Sequence, residues 1–330
     1  MGAALIAVIA GCSSSSKNSS VATTEPATPA SATPASAPAV GIVVPSGPIA
    51  QVVADPAHRV VVTLAAGGRS MAVYPAAGLT AQTTPLHTVP LPDAATAIAD
   101  GANGVLAVVP GAILTVDTGS GAISARTPVP TRTPLSVAAI DADTTAVGTA
   151  DGEVIVARRD GAITTIKGLV RVDSLAAHDG RLVALDRAQS AIAEVNLSKN
   201  QFEGRQRAGN GAANIISDHF GRFLISNPRD GQLIAFWGDP PVERFAFPVA
   251  NGPYGVAYDD TRNVAWVAES GSNILNGYDL ASGMPIQTKQ IATVRQPDSI
   301  AVDPADGNVF VASATGDGLQ VVPPQATPAG

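Results

Sequence analysis

Gly252-Pro253-Tyr254-Gly255-Val256-Ala257-Tyr258-Asp259, followed by Asn263-Val264-Ala265-Trp266-Val267-Ala268, has a near copy downstream. That copy is Gln296-Pro297-Asp298-Ser299-Ile300-Ala301-Val302-Asp303 with Asn308-Val309-Phe310-Val311-Ala312. Each is a short apolar run ending in Asp, a turn, and a second apolar run. Runs of this length, rich in Val and bounded by Gly, Pro and Asp, read as strands. Weaker copies lie upstream. Val52–Asp55 leads into Val60–Val62, Ile98–Asp100 into Val105–Val108, and Val137–Asp141 into Thr145–Val147. Leu175–Asp179 leads into Leu182–Leu185, and Ile215–Asp218 into Phe223–Ile225. The seven units begin near residues 49, 95, 135, 173, 211, 252 and 297, a mean spacing of about 41.

Each unit continues with a third strand, as in Met71–Tyr74, Ile113–Val116, Val154–Ala157, Leu233–Phe236 and Leu319–Val322. Hairpin signals stand before three of these, at Asp151-Gly152, Asp230-Gly231 and Asp317-Gly318. A more polar fourth strand follows in most units, as at Glu243–Phe247 and Ile286–Ile291. Four antiparallel strands at a period near 40 define one blade of a β-propeller. The expected fold class is therefore all-β, a seven-bladed β-propeller over residues 40–322, with a disordered tail at 323–330. The last unit stops at Val322 without a fourth strand, whereas Val40–Val44 is an apolar strand ahead of the first unit. That N-terminal strand is expected to complete blade seven and remove two open sheet edges.

Composition narrows the function classes. The chain has 330 residues, a formal net charge of −7, 4% aromatic and 14% charged residues. The acidic balance without a basic run argues against nucleic acid as a partner. No segment shows a sustained apolar stripe at helical spacing. The single cysteine, Cys12, leaves the propeller without a disulfide. A monomer is expected.

The first forty residues have a different character. Ala3–Ala10 is an eight-residue apolar run; as a helix it would rise only ~12 Å against a hydrocarbon core of ~30 Å. Too short to span, it fits the apolar region of a signal peptide at residues 1–11. Ile9-Ala10-Gly11-Cys12 resembles the lipobox of bacterial lipoproteins. The resemblance implies cleavage before Cys12, a diacylglycerol on its thiol, further acylation such as palmitate, and attachment to the extracytoplasmic side of the cell membrane. No Lys or Arg precedes Lys17, which departs from the signal-peptide pattern and predicts a translation start upstream of Met1. Residues 12–39 are rich in Ser, Thr, Pro and Ala and are expected to form a disordered linker. Thr24, Thr28 and Thr33 could carry sugars there, or the linker could be unmodified.

The repeat itself resembles the YVTN/NHL-like propellers of the WD40-like superfamily. Pro297–Asp303 with Asn308–Ala312, and Gly252–Asp259 with Asn263–Ala268, carry the likeness. The whole layout, including Asn276–Gly283, is similar to a group of mycobacterial, and so actinobacterial, lipoproteins. The resemblance implies fold and location and is silent on activity.

Catalytic chemistry is sparse. His58, His87, His178 and His219 are scattered and read as turn or surface residues, and Asp141-Ala142-Asp143 reads as a turn. No metalloprotease helix, CxxC pair, nucleophile elbow or phosphate-cradling glycine loop is present. Aligning the units places Gln51, Ala97, Ser136, Ser174, Asn214, Gly255 and Ser299 in one ring at the start of the innermost strands. Among and beside them Asp173, Asn214, Tyr254 and Asp298 form a possible ligand site at one mouth of the channel. Two function readings follow. One is a non-catalytic envelope lipoprotein presenting a propeller face to a protein, glycan or small ligand. The other is a divalent-metal-dependent hydrolase or lactonase at the channel mouth. The second needs more carboxylates than the alignment supplies, so no catalytic residue, resident metal or cofactor is assigned.

Overall fold

The computed structural model describes residues 22–327. The signal segment 1–11 and Cys12 lie outside the described residues, as do 328–330. Within 22–327 the regular structure is twenty-eight strands in seven four-stranded antiparallel sheets, without a helix. β1 (Ile42–Val44) precedes blade 1, which is β2 (Ile49–Asp55), β3 (Val60–Ala65), β4 (Ser70–Pro75) and β5 (His87–Pro90). Blade 2 is β6 (Ala97–Ala99), β7 (Val105–Val109), β8 (Ala112–Asp117) and β9 (Ala122–Pro128). Blade 3 is β10 (Pro134–Ala139), β11 (Thr144–Thr149), β12 (Glu153–Arg158) and β13 (Ile163–Lys167). Blade 4 is β14 (Ser174–His178), β15 (Arg181–Asp186), β16 (Ala191–Asn196) and β17 (Gln201–Arg207). Blade 5 is β18 (Asn214–Ser217), β19 (Phe223–Asn227), β20 (Gln232–Trp237) and β21 (Val242–Pro248). Blade 6 is β22 (Pro253–Asp259), β23 (Val264–Glu269), β24 (Ile274–Asp279) and β25 (Ile286–Ala292). Blade 7 is β26 (Pro297–Val302), β27 (Val309–Ser313) and β28 (Leu319–Val322), completed by β1.

The closing pair has the register Ile42↔Val321, Val43↔Gln320 and Val44↔Leu319. The ring is thus shut by the strand expected from the sequence, as a seven-bladed β-propeller.

The apolar residues fall into seven clusters, one between each pair of neighbouring blades. Leu64, Met71 and Val73 of blade 1 pack on Ile98, Ala107 and Leu114 of blade 2. Val61 and Tyr74, on the other face of the same sheet, pack on Phe310, Ala312 and Leu319 of blade 7. Side chains alternate across a strand, so one strand serves two interfaces. The middle strands are therefore apolar at nearly every position, and β7, β19, β27 and β28 are buried throughout. Outer strands meet no such demand, and β9 exposes most of its residues.

The Asp that ends many first strands has a local cause. Asp259 Oδ1 accepts from the amides of Thr261 and Arg262, and Asp218 Oδ1 from those of Phe220 and Arg222. Each carboxylate folds the turn into the second strand. Two of the histidines are bound to such turns: His58 Nδ1 lies 2.8 Å from Asp55 and His219 Nδ1 3.0 Å from Asp260, while His87 lies in β5 and His178 ends β14.

Two flanking segments make contacts with the blades. Residues 22–39 form no helix or strand, as their composition implies, but they are not free of the propeller. Thr24 N donates to Ala188 O, Thr33 N to Gly271 O, and Ala27 is buried. The expectation of disorder rested on how little apolar surface the stretch can bury; its backbone groups hydrogen-bond the blade loops instead. Beyond β28 the chain turns at Pro323–Ala326, and Lys289 Nζ donates to Ala326 O, so the expected loose tail is held as far as Ala326.

Removing β1 should open the ring. A chain beginning at Ser46 is expected to be less stable than one beginning at Ala39 by at least about 2 kcal/mol, since full burial of a valine such as Val44 alone contributes ~1.5–3 kcal/mol. Equal urea midpoints for the two chains would show that β1 does not close the ring.

Candidate functional site

The innermost strands β2, β6, β10, β14, β18, β22 and β26 surround a channel cavity of about 830 Å³. The positions aligned from the sequence all line it, from Gln51 through Ser299, together with Asp173, Tyr254 and Asp298.

Several polar groups of that ring stitch blade to blade. Gln51 Nε2 donates to Ile98 O and Gln51 Oε1 accepts from Ile98 N, at 2.9 and 2.8 Å, joining blades 1 and 2. Val52 N donates to Ser299 Oγ across the closure of blades 7 and 1. Ser136 Oγ donates to Val172 O at the junction of blades 3 and 4. Asn214 belongs to this set: its Nδ2 donates to Tyr254 O at 2.9 Å, joining blades 5 and 6. Asn214 thus acts as a backbone staple through its Nδ2, because neighbouring first strands are not paired to each other and their carbonyls need donors.

Asp173 is also engaged within the protein. Its Oδ1 accepts from Arg171 Nε and Nη2 at 3.0 and 2.8 Å, and its Oδ2 from the amide of Arg187 at 3.0 Å. Asp298 Oδ1 accepts from Ser270 Oγ at 2.6 Å and Gln296 Nε2 at 2.8 Å. Burial pushes the Asp298 carboxyl up, and these two hydrogen bonds only partly offset it. Burial likewise raises the Tyr254 phenol, against the charge of Arg187, while Asp298 and Asp173 add to the rise. The two carboxylates thus share an electrostatic field centred on Tyr254, and each has its own hydrogen-bond partners.

Two residues at the mouth stand outside the ring of aligned positions. Arg187, in the loop between β15 and β16, places its guanidinium carbon 5.9 Å from the centre of the Tyr254 ring. One of its terminal nitrogens donates to Ala27 O, and its Nε is buried without a hydrogen-bond partner. Gln296, just before β26, ties Asp298 to the N-terminal segment, since its Nε2 also donates to Ala30 O. Both lie outside the first strands. The loops joining second to third strands open on the same mouth as the starts of the first strands, and that rule of chain direction is the signal that would have found Arg187.

At the opposite mouth Asp100 lines the channel. Burial and the charge of Asp55 push its carboxyl up to about 6, opposed by the Gly101 amide and by His58.

No protein-family model matches the chain, and no curated protein matches it by sequence. Solved structures do match by shape. The β-propeller domain of Cps50 (Swd1) from Myceliophteria thermophila superposes with a TM-score of 0.71 at 9% identity, covering 86% of this chain and 99% of that one. The hydrazine synthase of Kuenenia stuttgartiensis gives 0.71 at 12% identity, covering 86% and 97%. The WD40 repeats of RRP9 give 0.70 at 12% identity, covering 88% and 98%. At such identities the likeness establishes a WD40-like seven-bladed propeller fold and nothing about ligands.

Asp100 makes stability depend on pH. Its folded carboxyl binds a proton more tightly than the unfolded one, so its stabilising contribution is complete below about pH 4 and is lost as pH rises through about 6. Channel water reaches Asp100, and screening holds the effect to about 1 kcal/mol or less. Asp100→Asn should raise the melting temperature at pH 7 relative to wild type, with the gap vanishing near pH 4. A gap independent of pH would assign the effect to something other than this carboxyl.

Proposed function

We propose that this chain is a cell-envelope lipoprotein, held by lipid on Cys12 to the extracytoplasmic side of the membrane, that uses its propeller as a binding module. The ligand site is the channel mouth around Arg187 and Tyr254. One observation carries this reading: a cavity of about 830 Å³ is lined by Arg187, whose guanidinium carbon lies 5.9 Å from the centre of the Tyr254 ring. A largely preformed concavity with a few convergent polar groups is the common form of a small-ligand site. The neighbouring Tyr254 ring adds an apolar face, and the Arg187 charge suits a ligand bearing a carboxylate or other anionic group. The lipobox at Ile9–Cys12 supports the location, and two or more acyl chains give durable attachment where one chain is marginal.

The reading of a metal-dependent hydrolase has no such observation behind it. Asp173 and Asp298 have their own donors, and among the described residues no group of three or more His, Cys, Asp or Glu is placed to hold a metal ion. Stoichiometric calcium retained through dialysis, and lost in Asp173→Asn, would bring that reading forward.

Two experiments bear on the proposal. Cys12→Ala should move the protein from the membrane to the soluble fraction of the envelope; wild-type retention with an uncleaved N-terminus would remove the lipoprotein assignment. A thermal-shift screen of small carboxylates should yield binders whose effect falls at least about tenfold in affinity with Arg187→Gln or Tyr254→Leu. Binders indifferent to both substitutions would place the site elsewhere.

A further inference from the structure

Pro26-Ala27-Thr28 and Pro29-Ala30-Ser31 are consecutive triplets of one pattern, proline, then alanine, then a hydroxyl residue. The segment that carries them lies across the loops of blades 4 to 7 on the mouth face, and Pro29 forms part of the cavity wall. One set of its contacts falls at every third residue, beside further backbone contacts at Glu25 and Ala32. Thr24 N donates to Ala188 O, Ala27 is 5% exposed, Ala30 sits against glycines, and Thr33 both donates its amide to Gly271 O and directs its hydroxyl there. Thr28 and Ser31, the third members of the triplets, are exposed. A period of three with one face inward is the geometry of a polyproline II helix, which makes no internal hydrogen bonds and leaves every backbone group available.

The propeller answers that geometry at two levels. Side chains reach the segment's backbone: Arg229 Nη2 donates to Glu25 O, Arg187 to Ala27 O, Gln296 Nε2 to Ala30 O and Asn273 Nδ2 to Thr33 O, while Gln296 Oε1 accepts from Ala32 N. Glycines receive the alanines. A β-carbon built on Gly252 would come within 2.7 Å of the Ala30 β-carbon, and those on Gly271 and Gly211 within 3.3 Å of Ala30 and Ala27. Recognition is therefore of backbone plus small side chains at a fixed spacing, independent of large anchors.

From these contacts we infer that the mouth face carries a groove for extended, proline-bearing peptides with a small residue at every third position, and that residues 22–33 occupy it in cis. The occupant is this chain's own segment, residues 22–33. The resting chain holds its own segment because a tethered ligand acts at high effective concentration. This groove meets the proposed small-ligand site at Arg187 and Pro29 but runs on over the loops of blades 4 to 7, and amide protection reads its occupancy separately from small-ligand binding, so either assignment can fail alone.

The test uses the full chain and two registers. Hydrogen exchange should show the amides of Thr24, Ala32 and Thr33 protected in the wild type. Ala27→Leu with Ala30→Leu should abolish that protection, whereas Thr28→Leu with Ser31→Leu, equal in added bulk but outward-facing, should preserve it. The inward double variant should then bind a labelled synthetic peptide of residues 22–36 with 1:1 stoichiometry. It should bind the same peptide carrying leucine at 27 and 30 at least about tenfold more weakly, and the wild-type chain should bind the first peptide no better. Unprotected amides in the wild type would overturn the inference. So would equal loss in the outward variant, or failure of a folded inward variant, judged by its unchanged melting temperature, to take up the peptide.

Discussion

Every sheet in this protein is apolar on both faces, and that single constraint organises the rest. Val61 and Val62 are adjacent in β3, both fully buried, and they belong to different inter-blade cores. A sheet built this way has no solvent side, so a row of such sheets leaves two raw faces at its ends. Closing the row into a ring supplies the missing neighbour for both. The closing contact is made by the chain's two extremes, with Val44 and Val43 of β1 lying against Leu319 and Gln320 of β28. Because the ends are joined by pairing rather than covalently, the stability of all seven interfaces converges on a strand of three residues.

The channel follows from the same ring. Innermost strands cannot pair with each other, since each ends its own sheet, so their edge groups must find side chains or water. Gln51, Ser136, Asn214 and Ser299 meet that need by bridging to the next blade. What is left facing the mouth comes mostly from outside the first strands. Arg187 is positioned by its own amide, which bonds Asp173, while its guanidinium leans over Tyr254. The mouth is thus a structural ring with a small number of groups free to recognise something else.

The N-terminal segment links this mouth to the proposed anchor. Nine residues separate Cys12 from Ala22, a reach of at most roughly 36 Å at ~3.6 Å per residue. With residues 22–33 seated, a lipid on Cys12 would keep the mouth face close to the bilayer. With them released, the tether would lengthen to Val40 and the mouth could turn away. Arg187 and Gln296 each touch the segment and a group of the mouth, Arg187 through Ala27 and Tyr254, Gln296 through Ala30 and Asp298.

How much of this was legible in the sequence depends on the range of the interaction concerned. The period of about 41, the Asp-capped turns, the Asp-Gly hairpins and the orphan strand at Val40–Val44 are consequences of local pattern, and patterning within a unit suffices to specify a blade and to count seven. The resemblance of Ile9–Cys12 to a lipobox is likewise read from local sequence and lies outside the described residues. Tertiary structure alone settled which polar residues look into the channel and which stitch blades, because a donor's role depends on the carbonyl opposite it some 40 residues away, as for Asn214 and Tyr254. It alone brought Arg187 to the mouth, from a loop that carries no repeat signature. It also turned a segment whose composition reads as unstructured into one lying along the blade loops. The reason is that composition measures the apolar surface a segment can bury, whereas this segment is held by its backbone, and backbone partners become visible only once the ring has brought Ala188, Gly271 and Gln296 within its reach.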